Sequence, residues 1–309
     1  MIFVLRAVMV SLAFFALLYS FLSVLLAVFW RAVLSRSHNK IHANTLFAMR
    51  VMPFAISAFI SLFLTLPSFL LFEQHSLDED LGTFALGACA LLIVCTGMYR
   101  VWLAEQRTRR VVTASMRGGV DLERDVSAPA ITLTRNTTPL MLVGIRVPRI
   151  LISASARGLL SDGELGAAVR HETAHFRSRD NLKKAILNCL VFPGMTSLER
   201  AWQEASELAA DDRAVSSRDE ALDLAAALIK LARHFPGQTI PELGTGLVSS
   251  VDSVTNRVER LVAWSRCSAP RRRGWGYVMA GVLLGLAGLT AKLVPALVLV
   301  HSLTERLVP

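Results

Sequence analysis

Long apolar runs alternate with short charged segments along this chain of 309 residues. Three runs, at residues 7–30, 51–72 and 81–99, contain no charged residue at all. A fourth run, at 275–300, contains a single charge, Lys292, which we expect to extend its ammonium group to the membrane surface. A helix that crosses ~30 Å of hydrocarbon needs about 20 apolar residues, so each run is long enough. The pattern therefore predicts a mainly α-helical membrane protein with four transmembrane helices.

The charges that flank these runs predict how the helices are oriented. The basic positions are Arg31, Arg36, Lys40 and Arg50 between the first two runs, Arg100, Arg107, Arg109 and Arg110 after the third, and Arg271, Arg272 and Arg273 before the fourth. The loop between the second and third runs is acidic, with Glu73, Asp78, Glu79 and Asp80. Lys and Arg concentrate on the cytoplasmic side of a membrane. We therefore expect a bacterial inner-membrane protein with both termini outside the cell.

This orientation divides the chain into three predicted regions. Residues 1–104 form a three-span membrane region, residues 105–273 a cytosolic domain, and residues 274–309 a fourth transmembrane helix with a short external tail. The cytosolic domain must then carry the chemistry, because the predicted spans hold almost no ionisable residues.

The composition agrees with a membrane protein and argues against two other classes. Apolar residues make up 53% of the chain and charged residues only 18%, below the roughly 25% of an ordinary soluble domain. The net charge of +9 comes from cations clustered beside the spans, without interleaved aromatic residues, so we expect no nucleic-acid partner. The four cysteines have no C-x-x-C spacing, which argues against a thiolate zinc site or a disulfide framework.

The middle region begins with strand signals and continues into helices. Two β-rich runs, Leu140–Val143 and Arg149–Ser153, are separated by Gly144 and Pro148, which predicts a hairpin or an edge pair of strands. Ser161 precedes Glu164 by three residues, the spacing of a capping box at the start of a helix.

That helix carries the motif H-E-x-x-H. His171 and His175 are four residues apart, so they project from one helix face, and both imidazoles can reach a tetrahedral zinc ion. Glu172 is offset by about 100° and can instead accept a proton from the water that attacks a peptide bond. A chain of this length and composition would contain the motif by chance roughly 0.007 times. Two unrelated surface histidines are therefore the less favoured interpretation.

A zinc site of this type needs a third protein ligand. A second capped helix is predicted from Thr196, and it offers four carboxylates: Glu204, Glu207, Asp211 and Asp212. Glu207 and Asp211 share one face, so that one could bind the metal while the other orients a ligand imidazole. Spacing alone does not choose among the four.

Four segments of this region together resemble a known family. In chain order they are PLMLVGIRVPRILIS, LSDGELGAAVRHETAHFRSRDNL, ELAADDRAV and NRVERLVAW. They resemble the integral-membrane zinc metallopeptidases of the BlaR/MecR type, the β-lactam sensor-transducers. The resemblance extends from about Gln106 to the fourth span and includes the order of three helices, protease domain and one helix. Thr173 stands where that family usually has an apolar residue.

The resemblance implies a cytosolic α+β domain of the gluzincin type between spans three and four. It implies Glu172 as the catalytic residue, Glu207 as the third zinc ligand beside His171 and His175, Asp211 as the partner of a ligand, and Asp180 as a supporting acid. The sensor-transducers continue into an extracellular penicillin-binding domain, whereas only nine residues without an S-x-x-K motif follow Val300 here. We therefore expect no direct sensing of β-lactams.

The function that follows is a zinc metalloendopeptidase in the lipid bilayer that cleaves cytosolic or membrane-proximal proteins. We expect regulated cleavage of a transcriptional repressor, with a sensor partner in the membrane. The alternatives are an HtpX-like protease for membrane-protein quality control and, in another class, a non-catalytic zinc-binding scaffold. No substrate-binding residue is assigned, although the 140–153 strands could present an edge to which an extended substrate adds.

Overall fold

The computed structural model describes residues 2–35, 41–72, 81–116, 120–123, 129–134, 139–235, 243–247, 251–264 and 293–307. The chain forms two compact units. The membrane unit comprises Met1–Met98, Leu190–Glu199 and Pro270–Pro309, and the sheet unit comprises Tyr99–Cys189 and Arg200–Ala269. The domain bounds predicted at residues 104 and 273 remain predictions.

Long apolar helices build the membrane unit. Their bounds are α1 Ile2–Phe29, which continues as a π-helical turn over Trp30–Leu34; α2 Ala43–Ile60, which continues through a π-helical turn over Ser61–Thr65 into α3 Leu66–Phe72; the first part of α4 Leu81–Met116; and α11 Leu293–Leu307. Three segments, Phe3–Leu34, Ala43–Phe72 and Gly82–Ser115, are long and apolar enough to cross a membrane. The first three predicted spans are thus confirmed as candidate membrane helices. Residues 275–292 of the fourth span, and the loop charges at 36–40, 73–80 and 271–273, lie outside the described residues.

The segment Leu190–Glu199 packs in the membrane unit by specific polar contacts. The Tyr19 hydroxyl donates to the Val191 carbonyl at 3.3 Å, and the Trp30 indole donates to the Ser197 hydroxyl at 3.1 Å. Arg50 of α2, which is 1% exposed, donates to Glu199 at 2.9 Å and also to the Leu190 carbonyl. The sequence counted Arg50 as a loop charge, but the structure buries it against a carboxylate.

A five-stranded sheet forms the centre of the other unit. The strands are β1 Val120–Glu123, β2 Ala130–Thr134, β3 Leu140–Val143, β4 Arg149–Ser153 and β5 Gly244–Gly246, in the order β1-β2-β4-β3-β5. Only β2 and β4 run parallel to each other; the remaining pairs are antiparallel. One face of the sheet packs against helices through Leu140, Leu142, Ile150 and Ile152, and the other packs on Val112 of α4 through Met141, Val143 and Leu151. Burial on both faces explains the near-continuous apolar sequence of β3 and β4.

The predicted hairpin between β3 and β4 is confirmed, but the prediction of an edge pair is wrong. The two strands pair antiparallel with Leu142 opposite Ile150. On its other side β3 pairs with β5, with Leu142 opposite Thr245, while β4 is flanked by β2. Both sides of β3 are therefore paired, and an extended substrate could bond to the β3 backbone only by taking the place of β5. The pairing partner is about a hundred residues away in sequence, which is why local strand signals could not reveal it.

Six helices complete the sheet unit within the described residues: α5 Ala154–Leu159, α6 Asp162–Ser178, α7 Asp180–Cys189, α8 Thr196–Ala214, α9 Arg218–His234 and α10 Val251–Val262. The first residues of α8, up to Glu199, belong to the membrane unit. The capping box at the start of α6 is confirmed, because Ser161 and Glu164 exchange hydrogen bonds between side chain and backbone. A cap of this kind stabilises a helix end by about 1 kcal/mol. It also sets where α6 begins, and hence which residues face the sheet three turns later.

Candidate metal centre

Helix α6 brings the two motif histidines together in a fully buried position. Both imidazoles are 0% exposed, and their Nε2 atoms are 3.0 Å apart. Glu207 of α8 completes the group: its Oε2 is 3.4 Å from Nε2 of His171, and its Oε1 is 3.6 Å from Nε2 of His175. These three residues each offer a ligand atom, and the atoms all lie within 4.8 Å of one another.

Two further carboxylates hold the outer nitrogens of the imidazoles. Asp180 Oδ2 lies 2.8 Å from His175 Nδ1 in a hydrogen bond. Asp211 Oδ1 lies 2.9 Å from His171 Nδ1, close enough to orient the ring although the approach is poorly aligned with the N–H bond. A neutral imidazole whose Nδ1 proton faces its carboxylate would direct its Nε2 lone pair toward the point that the two Nε2 atoms share.

The arrangement fits a tetrahedral zinc ion. Bonds of 2.0–2.1 Å to such an ion would separate ligand atoms by about 3.3 Å, close to the three distances seen between the nitrogens and oxygens. Without a cation, two lone pairs and a carboxylate would meet in a buried space with no donor between them. The pKa of His175 also indicates a preference for positive charge. Burial alone would lower this pKa, but Glu207 and Asp180 raise it to about 10. The site therefore favours positive charge at this point.

Glu172 is buried beside this group but belongs to a different set of contacts. Its Oε2 accepts hydrogen bonds from the Leu142 backbone N–H at 3.0 Å and from the Thr245 hydroxyl at 3.2 Å. Its Oε1 has no hydrogen-bond partner in the described part of the chain, although it is fully buried. Burial raises the pKa of Glu172, while the two histidines oppose the rise. The carboxylate is thus anchored by the Leu142 backbone of β3 and by Thr245 of β5.

Sequence reasoning missed Arg257 of α10, which lies against the metal-ligand group. This arginine is 2% exposed, and its guanidinium contacts Glu207 at 3.0 Å, Asp211 at 2.7 and 2.8 Å, and the Leu247 carbonyl at 2.8 Å. Burial opposes ionisation of Glu207, but His175 and Arg257 hold its pKa well below the usual range. A signal was present: Arg257 occupies the apolar stripe of its helix between Val254 and Leu261.

Two polar residues of α7 were also missed, and both hold the strands near Glu172. The Asn181 amide donates to the carbonyls of Leu142 at 3.4 Å and Gly144 at 3.0 Å. The Lys184 ammonium donates to the Gly244 carbonyl of β5 at 2.6 Å. Helix α7 therefore ties β3 and β5 to the helix that carries the histidines.

The four carboxylates that spacing left open on α8 are separated by their burial. Glu207 is 8% exposed and Asp211 is 1% exposed, and both face the histidines. Glu204 lies on the exposed side of the helix, and Asp212 pairs with Arg260 at 2.8 Å on the surface. The structure thus brings together every residue proposed for the site, and it leaves Glu204 and Asp212 outside.

The model of the BlaR1 peptidase M56 family matches residues 2–261 of this chain. The match covers the first three candidate membrane helices, the sheet, the group of His171, His175 and Glu207, and Arg257. A search of curated proteins found no match to the sequence.

Replacing Arg257 should destabilise the sheet unit far more than replacing Arg260 on the same helix. Arg257→Met leaves the Glu207 and Asp211 carboxylates buried without their cation, which we expect to cost about 3 kcal/mol or more in free energy of unfolding. Arg260→Met breaks a comparable ion pair to Asp212, but one in which the side chains are 44% and 35% exposed, so we expect under about 1 kcal/mol. Thermal unfolding of the two metal-free variants measures the difference. Equal losses would mean that Arg257 is not the counter-ion of this cluster.

Proposed function

The chain belongs to the BlaR1 peptidase M56 family, and on this basis we propose that it is a zinc-dependent membrane endopeptidase. The observation that carries the proposal is the convergence of two imidazoles and one carboxylate in a buried site, with a further carboxylate behind each imidazole. In this proposal His171, His175 and Glu207 hold the metal. Asp211 and Asp180 keep the rings oriented with Nε2 toward it.

Bound zinc would supply Lewis-acid polarisation of the attacking water and of the scissile carbonyl. The protein's own contribution is to hold and move a proton. Glu172 takes the proton of the attacking water and passes it to the leaving amine. Its position supports this role, because Oε2 is anchored by the Leu142 N–H while the buried Oε1 has no partner in the described residues.

We place the site on the cytoplasmic side of a bacterial inner membrane. The support is the charge of the loops, basic on either side of the sheet unit and acidic between the second and third spans. Proteins that reach the inner surface of the membrane are then the substrates. We propose site-specific cleavage of a transcriptional repressor, triggered through a sensor partner, with HtpX-like quality control as the alternative. The intact Glu172 argues against a non-catalytic zinc scaffold.

We expect the purified protein to hold about one zinc ion per chain. His171→Ala and Glu207→Ala should lose the metal, because each removes one of three protein ligands. Glu172→Ala should keep it and lose peptide hydrolysis by about 10²-fold or more, since only the base is removed. Metal analysis and a peptide-cleavage assay measure the two properties. Glu204→Ala, one turn earlier on α8 and exposed, is the matched control and should change neither. Full zinc occupancy and activity in Glu207→Ala would refute the third-ligand assignment.

The topology can be checked with reporter fusions. A reporter fused after Arg110 should lie in the cytoplasm, and one fused after Pro309 should lie outside, because one further span separates them in the proposed arrangement. Alkaline phosphatase and a fluorescent protein report the two sides. Both fusions on the same side would remove the third or the fourth span from the proposal.

The substrate class can be decided by what accumulates in a Glu172→Ala strain. One or a few stabilised cytosolic proteins, with a repressor among them, would support signalling proteolysis. Many stabilised membrane proteins and no repressor would favour the quality-control alternative. Comparison of the two proteomes by mass spectrometry, with the Glu204→Ala strain as control, makes the distinction.

A further inference from the structure

A cavity of about 760 Å³ lies next to the metal-ligand group in the sheet unit. His175 and Asp180 form part of its wall, together with the end of β3, the turn after it and the start of α7. A volume of this size is typical of a site that encloses a ligand or several side chains. A substrate held at His175 would therefore have adjacent residues within reach of the cavity.

The lining of this cavity is rich in arginine. Arg146 and Arg149 enter it from the β3–β4 turn and the start of β4, and Arg177 and Arg179 from the end of α6. Arg149 donates to the Thr132 hydroxyl at 3.4 Å. No ion pair is seen for the other three within the described part of the chain. Asp180, the acid in the described lining, is already bound to His175 and Lys183, so among the described lining residues positive charge is in excess.

One of these arginines, Arg179, occupies a backbone position that does not favour an arginine. Arg179 has φ 54, the left-handed conformation in which glycine usually ends a helix and which is unfavourable for other residues. The cap itself needs only the backbone N–H of this residue, which bonds to Phe176. Arg146 lies two residues after Gly144. The φ of Gly144 is +91, and a Cβ added to Gly144 would lie 2.8 Å from the Val147 carbonyl oxygen.

A buried acceptor lies in the same cavity wall. The Asn181 side chain is 4% exposed, and its amide nitrogen donates hydrogen bonds to the carbonyls of Leu142 and Gly144. Its Oδ1 is buried and has no hydrogen-bond partner among the described residues. A peptide N–H is the kind of donor that such an oxygen accepts, whereas the head group of a lipid without an N–H would leave it unpaired.

We propose that this cavity is a substrate subsite that binds an acidic side chain, Asp or Glu, close to the scissile bond. The planar guanidinium matches a carboxylate with two parallel hydrogen bonds, which gives selectivity against the isosteric amide. The inference rests on the proposed peptidase function and names the class of substrate that the site prefers. It also locates the determinant in Arg146, Arg177 and Arg179 rather than in the metal ligands.

The experiment uses the full chain, loaded with zinc, in an uncharged detergent. A peptide library derived from a bacterial proteome is digested, and mass spectrometry reads the residues around the cleaved bonds. Fluorogenic peptides are then made from the most rapidly cleaved site, each with one Glu or with Gln in its place. We expect Asp or Glu to be enriched near the bond and the Glu peptide to be cleaved about tenfold better in kcat/KM. The preference should shrink as salt rises, because the arginines are partly exposed.

Variants identify the cavity as the source of the preference. Arg146→Gln and Arg179→Gln should each reduce the ratio of kcat/KM for the Glu peptide to kcat/KM for the Gln peptide roughly fivefold. Arg146→Glu should favour a peptide with Lys at the same position. Arg157→Gln, an exposed arginine of α5 that does not line the cavity, is the matched control and should behave as wild type.

The outcomes separate this inference from the proposed function. Cleavage of the Glu and Gln peptides at equal rates overturns the acidic subsite and leaves the peptidase intact. If wild type cleaves no peptide, the proposed function fails. Fluorescence anisotropy of fluorescently labelled library peptides then tests whether the cavity binds acidic side chains. Tighter binding of acidic peptides that Arg146→Gln abolishes would support the site, and equal binding would overturn it. Variants that change only the affinity for phosphatidylglycerol vesicles would also overturn it, because the arginines would then contact lipid.

Discussion

The electrostatic balance around one buried point organises the site. Two imidazole nitrogens and a carboxylate converge there, Asp180 and Asp211 lie behind the imidazoles, and Arg257 contacts both Glu207 and Asp211. Burial makes each unpaired charge costly, so the cluster is stable only if the helices α6, α7, α8 and α10 approach one another closely enough to pair the charges. The Arg257 guanidinium offsets part of the negative charge, and the point between the histidines remains open to one more cation. The packing of these helices and the capacity to bind a metal are therefore a single constraint.

Strand β3 connects this cluster to the part of the site where a substrate would lie. Its Leu142 N–H holds the Glu172 carboxylate, and the carbonyls of Leu142 and Gly144 bind Asn181. The positive φ of Gly144 then turns the chain and brings Arg146 to the cavity. A shift of this strand would move the proposed base and one wall of the cavity together. The hydrophobic burial of β3 on both faces makes such a shift costly, which keeps the base and the cavity in register.

Each of the two units buries an arginine almost completely, and each provides it with a carboxylate. Arg50 in the membrane unit pairs with Glu199, and Arg257 in the sheet unit pairs with Asp211 and Glu207. In both cases the partners lie on different helices and are distant in sequence. Such pairs add little net stability over apolar packing, but removal of one partner is strongly destabilising, so they specify which helices must pack together. Helix α8 supplies the acid in both units, with Glu199 near its start and Glu207 and Asp211 two to three turns later.

Local patterns in the sequence determined the helices near the site and two of its three proposed metal ligands. Charge-free runs predicted the membrane helices, the spacing of Ser161 and Glu164 predicted the start of α6, and the four-residue repeat placed His171 and His175 on one face. These features depend on neighbours within one or two turns, so the chain reveals them directly. The choice of Glu207 on α8 came from family resemblance, and only the structure separated it physically, by burial, from Glu204 and Asp212. The pairing of β3 with β5, the position of Arg257 and the arginine-lined cavity were decided by tertiary structure alone. Each joins residues that are far apart in sequence, and no local periodicity records which distant segment will complete a strand, a charge or a cavity.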